Sequence, residues 1–359
     1  MWRRRGLLVF VVACLLLAAL GAVSALWTPG QSCTPPTPDP ALGTVDGVYV
    51  LPFDGRDPVL DEIDAASCTI DINMYLLSDD ATIEALLRAE TRGVEVRLIY
   101  EEAPFGGGVG IVDMTENLAN HGVDVRPGPD GLRFMHAKYI VVDGHIAIIT
   151  NQNLTYSAFE SNREFGVVTN DRHDVEALAA VFEADWNRTE PPDPSGRLIV
   201  SPQRAREALL ERINAAETSI RLYVEVIRDD EMIDALSTAA QRGVSVRLIV
   251  NPADDDLDPI VYDTLASNGV EIRVASRVYI HAKAMVVDDR IVVIGSHNFT
   301  STSLNQNREV SIVLDDGVAI ARTATTFDAD WEAARPWIGA THDLRNWSSQ
   351  GVDMTVLYG

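Results

Sequence analysis

Apolar and polar positions along most of the chain alternate between two periods. From Ile70 to Leu77 the pattern is that of a buried strand. From Asp80 to Thr91 apolar residues recur at helical spacing until Gly93, and Val94 to Tyr100 returns to strand character. This interleaving continues to about residue 335 and predicts an α/β fold, with a mixed, mostly parallel β-sheet flanked by helices. Two segments depart from it. Gly6 to Leu26 is an uncharged apolar run behind Arg3-Arg4-Arg5, and residues 28–45 carry five prolines that suit a semi-rigid linker.

The same pattern occurs twice. Arg92-Gly93-Val94-Glu95-Val96-Arg97-Leu98-Ile99 returns as Arg242-Gly243-Val244-Ser245-Val246-Arg247-Leu248-Ile249, and Met135-His136-Ala137-Lys138 returns as Ile280-His281-Ala282-Lys283. Phe182-Glu183-Ala184-Asp185-Trp186 closes the first copy and Phe327-Asp328-Ala329-Asp330-Trp331 the second. The organisation expected is a signal peptide or N-terminal anchor over 1–27, the linker over 28–45, repeats over 46–193 and 194–340, and a tail over 341–359. Two such copies pack most naturally about a pseudo-two-fold axis, as in an isologous dimer, so that one chain suffices.

Composition narrows the function. With 53 acidic and 29 basic residues among 359, the net charge of −24 disfavours a surface that binds nucleic acid through many phosphate contacts. It resembles the surfaces of proteins from salt-loving microbes. Only two basic residues are lysine, Lys138 and Lys283, and they occupy equivalent positions in the two repeats. An ammonium is a compact point charge where a guanidinium is a wide fork, so a crowded anion pocket would retain it. Of three cysteines, Cys14 lies in the apolar run, leaving Cys33 and Cys68 to pair or stay free in an oxidising compartment. The Arg cluster places the bulk of the chain outside the cytoplasm, whether the apolar run is cleaved or retained, and fits a twin-arginine signal only loosely.

The chemistry concentrates in one constellation. Copy one has His136-x-Lys138, Asp143, Asn151, Asn153 and Glu164; copy two has His281-x-Lys283, Asp288, Ser296, Asn298 and Glu309. In both, His precedes Asn by 17 residues and Glu by 28. Residues two apart on a strand share a face, so each imidazole lies beside an ammonium. The doubled H-x-K-x4-D pattern followed by Gly295-Ser296-His297-Asn298 resembles the phospholipase D superfamily of phosphodiesterases and phosphatidyltransferases. Copy one departs from it at Thr150-Asn151-Gln152-Asn153, which reads as altered tuning.

The resemblance implies two repeats sharing one active site with no cofactor or metal. One histidine attacks phosphorus to give a phosphohistidine, and the other serves as acid and then base. It suggests His136 as the nucleophile and His281 as the acid, although the residues themselves do not separate the roles. Lys138, Lys283, Asn153 and Asn298, with Asn151 and Ser296, would hold the phosphate oxygens. It also suggests that Glu164 and Glu309 each orient the histidine of their own repeat. Asp143 and Asp288 complete the catalytic motif but suit anchoring of the following loop better than contact with substrate.

The expected substrate is a phospholipid, from the membrane-directed segment and the apolar residues Leu132, Phe134, Met135, Val278, Tyr279 and Ile280 beside the motifs. Nucleic acid cleavage by an exported, metal-independent endonuclease is the alternative, and a non-catalytic binding module the third reading. Asp254, Asp255, Asp256 and Asp258 read as a solvated loop, and Gly106-Gly107-Gly108 with Gly110 as a mobile loop without the Lys-Ser/Thr of a phosphate loop. His121, His145, His173 and His342 read as surface or packing residues, whereas His297 is placed to line the pocket. Asn187 and Asn346 are the glycosylation sequons considered, since a glycan at Asn153 or Asn298 would block the site.

Overall fold

The computed structural model describes Cys33 and residues 46–339, apart from residues 109, 195 and 253–258. The apolar N-terminal run, the prolines of the linker, the Asp254, Asp255, Asp256 and Asp258 cluster, and the tail with His342 and Asn346 lie outside the described residues. Among the described residues no helix is long and apolar enough to cross a membrane. Cys33 and Cys68 are both disulfide-bonded.

The first repeat runs β1 (Asp46–Leu51), α1 (Asp57–Ala65), β2 (Thr69–Met74), α2 (Asp80–Arg92), β3 (Glu95–Tyr100), α3 (Ile111–Asn120), β4 (Asp124–Pro127), β5 (Tyr139–Val142), β6 (Ile146–Thr150), α4 (Tyr156–Glu160), β7 (Asn162–Thr169) and α5 (Arg172–Trp186). The second runs β8 (Leu198–Ser201), α6 (Ala205–Ala215), β9 (Ser219–Tyr223), α7 (Asp230–Gln241), β10 (Ser245–Val250), α8 (Pro259–Ser267), β11 (Glu271–Val274), β12 (Tyr279–Ile280), β13 (Ala284–Val287), β14 (Ile291–Gly295), α9 (Ser301–Asn305), β15 (Glu309–Leu314), α10 (Gly317–Ala333) and β16 (Arg335–Pro336). Several helices begin at a side-chain cap. Asp79 accepts a hydrogen bond from the Thr82 amide at the start of α2, Asp229 accepts one from Met232 at the start of α7, and Gly93 ends α2 with a φ of 90°.

Each repeat builds one mixed sheet. The first has the order β1-β7-β6-β5-β2-β3-β4, with β12 of the other repeat added to β7; the second has the order β16-β11-β10-β9-β13-β14-β15-β8. The α/β class and mixed sheets agree with the pattern, but the parallel share is smaller than expected. Within the first seven-strand path only β2–β3 and β3–β4 are parallel, while β1–β7, β7–β6, β6–β5 and β5–β2 are antiparallel. The reason is connection length: Asp143-Gly144-His145 joins β5 to β6, and three residues can make a hairpin but no parallel crossover.

A central core joins the two sheets. Tyr139, Phe165 and Phe182 of the first repeat belong to one buried cluster with Tyr223, Phe327 and Trp331 of the second, and the Phe165 and Tyr223 rings lie 5.4 Å apart. Around it the contacts are reciprocal. Arg163 makes a two-pronged pair with Asp330 at 2.6 and 2.9 Å and donates to the Leu51 carbonyl at 2.6 Å. Arg308 does the same to Asp185 at 2.9 and 2.8 Å and to the Ser201 carbonyl at 2.6 Å. The closing Asp-Trp motif of each copy therefore binds the Asn-Arg-Glu motif of the other, which is the logic of a two-fold interface within one chain. Both arginines are buried, so removing one partner leaves an uncompensated charge at a cost of about 3–5 kcal/mol.

Candidate active site

The two H-x-K segments run beside the other repeat's sheet. Tyr279 and Ile280 pair in parallel with Asn162 and Arg163, and Met135 makes the equivalent bridge to Arg308. The His136 amide donates to the Arg308 carbonyl at 3.0 Å, which pins the motif next to the start of β15. Alternation along each segment buries Ala137 and Ala282 and leaves His and Lys on the opposite face. Each ammonium folds back on its own histidine: Lys138 Nζ donates to the His136 carbonyl at 2.6 Å, and Lys283 Nζ to the His281 carbonyl at 2.7 Å.

The glutamates cross over. Glu309 accepts from His136 Nδ1 at 2.8 Å and Glu164 from His281 Nδ1 at 2.8 to 2.9 Å. The expectation that each orients the histidine of its own repeat is therefore corrected. Cross-repeat strand addition sets each histidine beside the Asn-Arg-Glu strand of the partner copy, and its own glutamate is carried to the other side. Both carboxylates are fully buried, and Glu309 also accepts from Ser303 Oγ at 2.8 Å and Asn307 Nδ2 at 2.9 Å. Burial pushes the Glu309 carboxyl up, but His136 and Lys138 override it and hold the group well below the usual carboxylate range.

Charges in the centre are unevenly tuned. Burial lowers His136 to about 4, with Lys138 adding to the shift and Glu309 opposing it. Its Nδ1–H is committed to Glu309, so Nε2 presents a lone pair. Burial also lowers Lys138 to about 7, against the pull of Glu309.

Two further residues complete the site, and both were missed in the sequence. Asp79 and Asp229 occupy equivalent cap positions, which makes Tyr75 the counterpart of Glu225. Tyr75 packs edge-on against the His136 ring at 4.5 Å, and Lys138 Nζ lies 4.9 Å over the Tyr75 ring. Glu225 instead accepts from Lys283 Nζ at 2.6 Å, Tyr279 Oη at 3.3 Å and Asn298 Nδ2 at 3.5 Å, and stands 3.5 Å from His281 Nε2. Burial raises the Glu225 carboxyl, but His281 and Lys283 prevail and hold it at about 2. The signal available was an acid at the end of an apolar strand where the other copy has tyrosine.

A family model described as cardiolipin synthase, PLD-like domain, matches residues 59–186 and again 209–331. The chain belongs to the phospholipase D superfamily. Among its relatives are cardiolipin synthase of Oceanobacillus iheyensis, 25% identical over 86% of this chain and 74% of that protein, and the major cardiolipin synthase ClsA of Bacillus subtilis, 25% identical over 82% of this chain and 71% of that protein. Phosphatidylserine synthase of Haemophilus influenzae has a similar structure, with a TM-score of 0.66 at 9% identity over 82% of this chain and 88% of its own, a likeness of fold alone.

Within this phospholipase D fold the other polar candidates divide. Asp143 and Asp288 spend their oxygens away from the histidines: Asp143 accepts from the amides of Ser67, Cys68 and Thr69, and Asp288 from those of Glu217, Thr218 and Ser219. They are turn anchors rather than catalytic groups, as their left-handed φ values of 53° and 55° also indicate. Asn151 and Ser296, expected at the phosphate, are fully buried and tie backbone strands instead. Asn151 Oδ1 accepts from the Phe165 amide at 2.7 Å, and Ser296 Oγ accepts from the Val310 amide at 3.1 Å. Asn153 and Asn298 are half-buried; Asn153 Oδ1 has no hydrogen-bond partner, whereas Asn298 Oδ1 accepts from the Val226 amide at 3.1 Å.

The departure at Thr150 comes with an exchange across the ladder. Thr150 faces Gly166 in register, and Gly295 faces Ser311. A Cβ on Gly295 would stand 2.3 Å from Ser311 Cα, and one on Gly166 would enter the Tyr49 ring. The two repeats place the glycine on opposite strands, against Tyr49 in the first and against Ser311 in the second. His297 is buried, donates or accepts at Ser311 Oγ through Nδ1 at 2.7 Å, is lowered by burial to about 4, and lines a cavity of about 20 Å³ with Lys283 and Tyr223. Gly110 caps α3 with a φ of 83°, and Phe105 in the same glycine-rich loop is 75% exposed while its amide donates to Tyr75 Oη at 2.6 Å. His121 Nδ1 meets the Asn117 carbonyl at 2.8 Å, the His145 amide donates to the Val142 carbonyl at 2.9 Å in the turn after β5, and Asn187 donates to the Glu183 carbonyl at the end of α5. Among the described residues no cluster of His, Cys, Asp and Glu is arranged to hold a metal.

Proposed function

We propose that this chain transfers the phosphatidyl group of a phospholipid from one head-group alcohol to another through a phosphohistidine. His136 is the nucleophile and His281 the acid and then the base. The observation that carries the reading is the unequal setting of the two histidines. His136 is lowered to about 4 with its Nδ1–H given to Glu309, so a neutral ring offers Nε2 to phosphorus. His281 has a carboxylate beside each ring nitrogen, Glu164 at Nδ1 and Glu225 3.5 Å from Nε2.

In the first step a bond forms from His136 Nε2 to phosphorus, the bond to the head-group oxygen breaks, and that oxygen takes the proton from His281 Nε2. In the second, an incoming alcohol gives its proton to His281 as its oxygen displaces His136 from phosphorus. Lys138, Lys283, Asn153 and Asn298 stabilise the charge on the non-bridging oxygens. Support for a lipid comes from the cardiolipin synthases among the relatives and from exposed Phe105, whose amide is held by Tyr75 beside His136. The expected location is outside the cytoplasm, on or near the membrane.

The test is to incubate purified chain with phosphatidylglycerol vesicles at low and at multimolar salt, without divalent metal, beside single- and double-stranded DNA. Exchange of head groups or formation of a larger lipid, abolished by His136→Ala, is the expected result. DNA nicking without lipid turnover would refute the lipid assignment, and full turnover by His136→Ala would refute the site.

A further inference from the structure

The two halves of the site differ most at Tyr75 and Glu225. In the first half an uncharged ring lies under Lys138. In the second, the Glu225 carboxylate engages Lys283 Nζ at 2.6 Å and Asn298 Nδ2 at 3.5 Å and approaches His281 Nε2 at 3.5 Å. These are the donors that a phosphodiester needs on that side. A carboxylate resembles a phosphodiester in the relevant respect: both are monoanions that present two acceptor oxygens to a cluster of donors. The Glu225 side chain is 18% exposed and therefore reached from solvent, whereas Glu164 and Glu309 are fully buried behind the histidines.

We propose that Glu225 is an internal competitor for the phosphate position, and that it tunes the pocket toward singly charged phosphodiesters and against doubly charged phosphomonoesters. This rests on the site assignment made above. An entering phosphate takes Lys283 from Glu225, and the displaced carboxylate stays beside it in a half-buried pocket of low effective dielectric. The repulsion scales with the charge of the entering group, so it is about twice as large for a phosphomonoester dianion as for a diester. A pocket built on two lysines alone would hold a monoester best, and would be blocked by hydrolysis products and by free phosphate. Glu225 removes that preference while keeping Lys283 and His281 aimed at the centre.

The experiment is calorimetric titration of the whole chain with inorganic phosphate at about pH 8, where it is largely doubly charged, and with dimethyl phosphate, which is singly charged. The proteins are wild type, Glu225→Gln, Glu225→Tyr and Lys283→Met. The tyrosine variant installs the residue of the first repeat and guards against a defect peculiar to glutamine, and thermal melts check folding. Both Glu225 variants are expected to bind inorganic phosphate at least ten-fold more tightly than wild type and dimethyl phosphate no more than about three-fold more tightly, while Lys283→Met loses both. Unchanged or weaker phosphate binding in the Glu225 variants, or an equal gain for the two anions, would overturn the proposal while leaving the site assignment intact. Phosphate binding that persists in Lys283→Met would overturn the site assignment itself.

Discussion

The two half-sites use the same scaffold to different ends. Both present His and Lys from a segment laid against the other repeat, both fold the lysine onto the histidine carbonyl, and both back the histidine with a buried glutamate from across the pseudo-axis. They diverge one layer further out. Tyr75 sets an uncharged ring against His136, whereas Glu225 pairs with Lys283 and gives His281 a second carboxylate neighbour. A duplicated site starts with two identical histidines, yet phosphoryl transfer needs one bare and one protonated. Substitution at one equivalent position gives the two rings different neighbours.

The sharpest way to break this comparison is to remove the histidines one at a time and vary the leaving group. On phospholipid, His136→Ala and His281→Ala should each lose about 10⁴-fold or more in rate. On a p-nitrophenyl phosphodiester, whose leaving group needs no proton, His281→Ala should recover by about 10²-fold and His136→Ala should not. Equal recovery would make the halves interchangeable. Next in size, Arg308→Ala or Arg163→Ala should cost about 3–5 kcal/mol of stability in denaturant titrations, because each leaves the charge of Asp185 or Asp330 without its cation at the interface. A cost below 1 kcal/mol in both would mean the reciprocal pairs do not hold the repeats together.

The crossed glutamates sharpen the comparison further. Glu309→Gln should lower kcat by about 10²-fold with little change in KM. It should shift the His136 Nδ1 proton resonance and leave that of His281 in place, with Glu164→Gln doing the reverse. The smallest effect is on stability against pH. His136 is lowered to about 4 when folded and returns to about 6.5 when unfolded, so the unfolded chain binds more protons between those values. The melting temperature should therefore fall as pH drops from 6.5 toward 4, and His136→Asn should flatten that slope. No such flattening would show that His136 is not buried as a neutral ring.

The duplication, the two motif segments and the α/β character were legible because they repeat at constant spacing. Lys138 and Lys283 were marked by composition alone, and Asp143 and Asp288 by their place after the strand. The crossing of Glu164 and Glu309 was not legible, because a repeat shows which residues are equivalent and not which copy each one faces. Asn151 and Ser296 looked like phosphate ligands by type, but their side chains point into the ladder, and that depends on register. The Thr150–Gly166 and Gly295–Ser311 exchange likewise needs the pairing before it has meaning. Glu225 stood in the aligned repeats opposite Tyr75, but nothing local showed that the strand end turns its side chain toward Lys283.

The central claim is that the shared centre is unsymmetrical, with His136 carrying the phosphoryl group. The most direct measurement is to quench His281→Asn and wild type during turnover of an activated phosphodiester and map the modified histidine by mass spectrometry under alkaline conditions. The account expects the adduct on His136, accumulating in His281→Asn and absent from His136→Ala. An adduct on His281, or one that survives in His136→Ala, would contradict it.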